Sequence, residues 1–154
     1  MPDDSQPQRN RPVHGVIPAI GRPTIVFVTV CTKDRARWLA SENVHSLLRS
    51  IWEDPLSWLV GRYILMPDHI HLFAGLAGKE VTLEGWVRYW KTQYRKRATD
   101  PTQEWQDGHW DRRLRNEESY ECKWEYVRTN PVRHGLVARA EEWPYQGTIC
   151  DLSW

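Results

Sequence analysis

No stretch of this chain approaches the ~20 consecutive apolar residues that a bilayer-spanning helix needs, so no membrane span is expected. The N-terminus carries Asp3 and Asp4 and has no apolar core behind them, which does not read as a secretory signal. There are three cysteines, Cys31, Cys122 and Cys150, far apart and without a Cys-x-x-Cys pair. A disulfide framework is therefore not expected, and reduced thiols of a cytoplasmic protein are. Charge of one sign is also missing. The formal net charge is +1 over 154 residues, so the chain is no polycation, and any contact with nucleic acid has to come from a local patch. No internal repeat, P-loop, glycine-rich dinucleotide turn or Gly-x-Ser-x-Gly elbow occurs. Phenylalanine is scarce, at two residues, whereas tryptophan reaches ten. Most of these indoles are expected in or over the core, and exposed ones would be platforms on which bases could stack.

The most informative stretch runs from Leu59 to Leu76. Tyr63-Ile64-Leu65-Met66 is an apolar, strand-like run. Pro67-Asp68 supplies turn chemistry, since proline fixes φ and removes a ladder donor. His69-Ile70-His71-Leu72-Phe73 then forms a second run. Side chains alternate along a strand, so His69 and His71 share one face and Ile70 and Leu72 the other. Two adjacent imidazoles on a rigid strand are half of a metal site; read structurally, they are a polar pair on a half-exposed sheet face.

Residues 1–22 hold Pro2, Pro7, Pro12 and Pro18 with no periodicity, and read as a flexible N-terminal arm. Residues 23–154 read as one domain, large enough for a core of its own. Thr24 to Cys31 is a β-branched run expected as a central strand. Ser41 caps a helix carrying Val44, Leu47, Leu48, Ile51 and Trp52 at helical spacing, which should end near Pro55. The histidine hairpin follows. Thr82 caps a second helix whose core stripe is Leu83, Trp86, Val87, Trp90 and Tyr94. Its other side carries Arg88, Lys91, Arg95, Lys96 and Arg97, the one clearly basic helix face and a candidate contact for a phosphate backbone. Trp110 to Arg115 reads as a short edge strand bearing Arg112 and Arg113. Asn116 caps a third helix that is expected to reach Asn130 and stop at Pro131. Tyr120, Trp124 and Val127 form its core stripe. Tyr126 lies off that stripe with Asn130 four residues on, so both are expected on one side of one turn. Trp143-Pro144-Tyr145 reads as a packing anchor.

Met66-Pro67-Asp68-His69-Ile70-His71-Leu72, followed downstream by Trp124 to Val137 with the sequence WEYVRTNPVRHGLV, resembles the single-tyrosine HUH transposases. The likeness is greatest to the REP-associated tyrosine transposases and extends over roughly residues 24–145. It implies an α+β fold, an antiparallel sheet with helices packed on it in a ferredoxin-like βαββαβ arrangement. It implies that His69 and His71 bind a divalent metal, Mg²⁺ or Mn²⁺, that Tyr126 is the nucleophile, and that Asn130 is a third metal ligand. Arg88, Lys91, Arg95, Arg97, Arg112, Arg113 and Lys123 are the candidate DNA contacts. The chain departs from the family at Arg112, where many relatives carry histidine after the aromatic-acidic pair, and a proton-transfer role is not carried over to that position.

The activity so implied is a metal-dependent single-strand DNA endonuclease and strand transferase, a transposase acting on hairpin or single-stranded DNA through a 5′-phosphotyrosine. Both a monomer and a homodimer are compatible with the family. The alternative is a domesticated hairpin-DNA-binding protein that keeps the fold without the chemistry.

Overall fold

The computed structural model describes residues 24–54, 58–76 and 81–152. The expected arm, residues 1–22, lies outside the described residues, as does Pro55. Chain order gives β1 (Ile25–Cys31), α1 (Glu42–Trp52), β2 (Trp58–Leu65), β3 (His69–Leu76), α2 (Leu83–Arg97), β4 (Trp110–Arg113), α3 (Glu117–Val127), α4 (Asn130–Arg133) and β5 (Gln146–Thr148). The first six elements are the βαββαβ order of a ferredoxin-like fold. The sheet order is β4-β1-β3-β2-β5, and every pairing is antiparallel. β5, a three-residue strand that the sequence pattern did not reveal, extends the sheet beyond β2.

Side-chain alternation divides the core between two faces of this sheet. One face takes Val26, Val28, Val30, Ile70, Leu72 and Ala74 against α1 and α2. The α2 stripe of Leu83, Trp86, Val87, Trp90 and Tyr94 is buried as its spacing requires. Trp90 packs edge-on against Trp52 and Trp105, with ring centroids 5.5 and 5.4 Å apart. No tryptophan among the described residues is fully exposed; Trp38, Trp105, Trp110 and Trp124 are half-buried and the others buried. The other face carries Ile25, Phe27 and Phe73 beneath α3, which contributes Tyr120 and Val127.

The three expected helix caps are made. The Ser41 hydroxyl accepts from the amide of Val44, that of Thr82 from Gly85, and the Asn116 side chain from Ser119. The third helix ends earlier than its spacing suggests. It stops at Val127, and a new turn, α4, begins at Asn130 with Pro131 in its first turn. Proline lacks only a donor that a helix start leaves unpaired, so Pro131 opens a helix here rather than closing one. Tyr126 and Asn130 thus sit on two short helices, not on one turn of a single helix.

β2 carries a bulge: between the pairs Val60–Ala74 and Tyr63–Leu72, Gly61 and Arg62 both face Phe73. Past the bulge the C-terminal segment returns across the sheet. Cβ atoms added at Gly61 and Gly75 would stand 2.6 and 3.1 Å from the methyl groups of Leu152. The two glycines therefore form a seat that this leucine fills.

Candidate active site

β3 is the middle strand, paired with β1 and β2 along its length. Its histidines face the α3 side, and both are buried, His69 at 3% exposure and His71 at 1%. Their ring centroids lie 4.7 Å apart with the planes at 74°. Each ring is held through Nδ1. His69 donates from Nδ1 to Asp68 Oδ1 at 2.8 Å, and His71 Nδ1 lies 2.9 Å from Thr29 Oγ1, directly across the β1–β3 pair. The other ring nitrogens, Nε2 of both, are buried and have no hydrogen-bond partner among the described residues. Buried polar atoms are nearly always paired, so two adjacent unpaired imidazole nitrogens mark a place for a ligand.

Asp68 is itself anchored. Its second oxygen accepts from Arg35 Nε at 3.0 Å. Burial pushes this carboxyl up, but the hydrogen bonds from His69 and Arg35 outweigh it and hold Asp68 well below the usual carboxylate range. His71 moves down from its ordinary value. Burial disfavours the imidazolium, and the charges of His69, Lys123, Arg133 and Arg35 push the same way. His71 is therefore neutral at physiological pH, the form that can ligate a cation.

α3 brings Tyr126 over this strand. Phe27 stacks on His71 at 5.1 Å between centroids, and Lys123 Nζ stands 4.7 Å from the Phe27 centroid and 5.6 Å from that of Tyr126. The Arg133 guanidinium lies 4.0 Å from the centre of the Tyr126 ring. It donates to the Tyr126 carbonyl at 2.8 Å, and also to Thr129 Oγ1 and to the side-chain oxygen of Asn130. Asn130 is 1% exposed, and its Nδ2 has no partner among the described residues. α3 is strapped to the sheet by Arg62, which donates to Glu121 at 2.9 Å and lies over the rings of Tyr120 and Trp124.

Among the described residues no group of three or more His, Cys, Asp or Glu is placed to hold a metal. An ion on the two imidazoles would complete its shell with oxygen from the Asn130 amide, water or substrate. The orphaned Nε2 atoms fit such an ion: neutral imidazoles, fixed through Nδ1, suit a divalent transition metal. The Asn130 oxygen accepts from Arg133, yet an amide oxygen has two acceptor positions, so that contact leaves one.

The candidate DNA contacts fall into two groups. Arg112, Arg113 and Lys123 line one open cavity with Tyr126, between β4 and α3. Arg88, Lys91, Arg95 and Arg97 belong to α2, which packs on the opposite face of the sheet. Lys91 donates to the carbonyls of Gln106 and Gly108, and Arg95 to that of Gln103, so both brace the loop before β4. Sequence reasoning did not single out Thr29, Phe27 or Arg133. Arg133 lies in the quoted downstream motif, but its reach back to Tyr126 depends on the break between α3 and α4.

No family model matches the chain. Two curated proteins are similar to it. A putative REP-associated tyrosine transposase of Haemophilus influenzae is 23% identical over 144 residues, covering 83% of this chain and 81% of that protein. A REP-associated tyrosine transposase of Escherichia coli is 24% identical over 123 residues, covering 77% and 73%. Among solved structures, a REP-associated tyrosine transposase bound to a REP hairpin superposes with a TM-score of 0.65 at 22% identity, over 84% of this chain and 89% of that one. A putative transposase of Deinococcus radiodurans gives 0.51 at 18% identity, over 73% and 95%. The two structural likenesses bear out the α+β, antiparallel, ferredoxin-like fold.

Proposed function

We propose, from the kinship of this chain to the REP-associated tyrosine transposases in sequence and fold, that it cleaves and rejoins a single DNA strand at a hairpin-forming site, as a transposase of the cytoplasm. One observation carries the reading: two buried imidazoles, whose Nε2 atoms have no partner among the described residues, lie on the middle strand beneath a helix whose tyrosine ring has two cations within 6 Å of its centre.

Tyr126 Oη attacks the scissile phosphorus. The P–O3′ bond breaks, leaving a 5′-phosphotyrosine; the phenolic proton passes to solvent, and the departing 3′-oxygen takes one from solvent to become a free 3′-OH. A phenol has a reference pKa near 10 and is protonated at neutral pH. Lys123 Nζ and the Arg133 guanidinium lie 5.6 and 4.0 Å from the centre of the Tyr126 ring, close enough to offset negative charge as the attack on phosphorus proceeds. His69, His71 and the Asn130 oxygen would hold Mg²⁺ or Mn²⁺. Such an ion, when bound, polarises the phosphate and offsets its charge in the transition state. For His71 this selects the tautomer in which Nδ1–H donates to Thr29. Asp68 fixes His69 in the same sense. Because the ester keeps the bond energy, a second 3′-OH can attack the phosphotyrosine and release Tyr126, so strand transfer needs no nucleotide cofactor.

The test is a denaturing gel of the protein with a labelled hairpin oligonucleotide from the flanks of its own gene, with Mn²⁺ or Mg²⁺. A slow, protease-sensitive band that requires metal and disappears in Tyr126→Phe is the expected result. Tight native-gel binding with neither cleavage nor adduct would instead establish the domesticated hairpin-binding reading.

A further inference from the structure

Among the described residues, two open cavities with basic side chains differ in charge. The first, about 380 Å³, opens beside α2. Its cations Arg88, Lys91 and Arg95 are matched by Glu84, Glu104 and Asp107 on the same walls. Arg88 pairs with Glu84 at 3.2 Å, and the other two cations are bonded to loop carbonyls. The second, about 680 Å³, lies between β4 and α3. Arg112, Arg113 and Arg115 form one wall, Ser119 and Lys123 the other, with Tyr126 on the same lining and no acidic residue. Arg112 pairs across from Phe27, so it stands on the face that carries the histidines.

We infer that the groove between β4 and α3 is the track for the backbone of one DNA strand entering or leaving Tyr126, and that the α2 face is not. Cations on both walls suit a single chain lying between them. The lining carries four cations and no acid, so it attracts a phosphate, and one drawn along it arrives at the nucleophile. This inference rests on the proposed strand-cleaving function and says where the substrate lies.

Each phosphate neutralised on a single strand contributes about −0.7 to the slope of log affinity against log salt. Four groove cations give a slope near −2.8, or about a 50-fold loss of affinity between 50 and 200 mM salt. The measurement is fluorescence anisotropy of labelled oligodeoxythymidylate, using full-length Tyr126→Phe protein without divalent ions. Arg112→Ala/Arg115→Ala, both at exposed positions, is expected to cut the loss to about 7-fold. Arg88→Ala/Arg97→Ala is expected to keep the 50-fold loss. An unchanged salt response in the groove variant, or a collapse in the α2 variant, overturns the assignment. The adduct assay with Tyr126 intact separates the two failures. Adduct formation with an unaltered groove slope sinks the track alone, whereas neither adduct nor oligonucleotide binding sinks the strand-cleaving function with it.

Discussion

Replacing Asp68 by Asn should weaken metal capture without touching a ligand. Asp68 accepts the Nδ1 proton of His69 at 2.8 Å and is held in place by Arg35 at 3.0 Å. That bond turns the ring so that its Nε2 lone pair faces the site. Asn has the same shape but loses the charge, the pairing with Arg35, and about half the strength of the contact to His69. Loss of such an outer partner costs 10- to 100-fold in metal affinity, or ~1.4 to 2.7 kcal/mol. Thr29→Val removes the neutral partner of His71 at 2.9 Å and should fall near the lower end of that range. Isothermal titration of metal-free protein with Mn²⁺ measures both, with His69→Ala as the reference for loss of a ligand. The reasoning is refuted if His69→Ala abolishes binding while Asp68→Asn stays within about twofold of wild type, against the ~10-fold minimum expected of an outer partner.

Three further outcomes can be measured. Burial, and then the charge of Arg49, lower the pKa of His45, whose ring meets the buried Tyr63 hydroxyl at 2.6 Å. The unfolded chain binds this proton more readily, so stability should fall as pH drops below about 6.5, and urea melts at pH 5.5 and 7.5 should show a smaller difference in His45→Asn. Gly61→Ala should destabilise the wild type by crowding Leu152, and should cost less in a Leu152→Ala background. A coupling of about 0.5 kcal/mol or more in a double-mutant thermal cycle confirms the seat, and strict additivity rejects it. Trp90→Ala empties the centre of the α1–α2 layer and should cost about 3–5 kcal/mol, read as a lost or greatly lowered melting midpoint.

Much of the fold was legible because its signals are local. β-branched runs marked β1, alternation marked the histidine strand, and side-chain caps at Ser41, Thr82 and Asn116 fixed three helix starts. β5 was not legible: three residues that pair only once the chain has returned to β2 carry no periodicity. The end of α3 was misread because proline closes most helices but also opens them, and only the tertiary path decides which at Pro131. At the site, spacing alone put both histidines on one face. It could not give their partners, since Thr29 reaches His71 through sheet register and Arg133 reaches Tyr126 through a kink. Nor could spacing discount the basic face of α2, whose Lys91 and Arg95 are committed to carbonyls of the loop before β4.

The site joins an element that opens last to one that opens early. Seven of the eight residues of β3 are buried, and both its edges are paired. Its amides should exchange with solvent only when the whole sheet comes apart. α3 has eleven residues, of which Tyr120 and Val127 alone are buried. Its amides should exchange through a small local opening that leaves the sheet intact. On a hydrogen-exchange time axis, the histidines and the tyrosine of one site should therefore separate by orders of magnitude. A strand spanning both would be bound only by the closed form, so it would slow the amides of α3 and, since the unfolded sheet has lost the strand as well, those of β3 by a comparable factor.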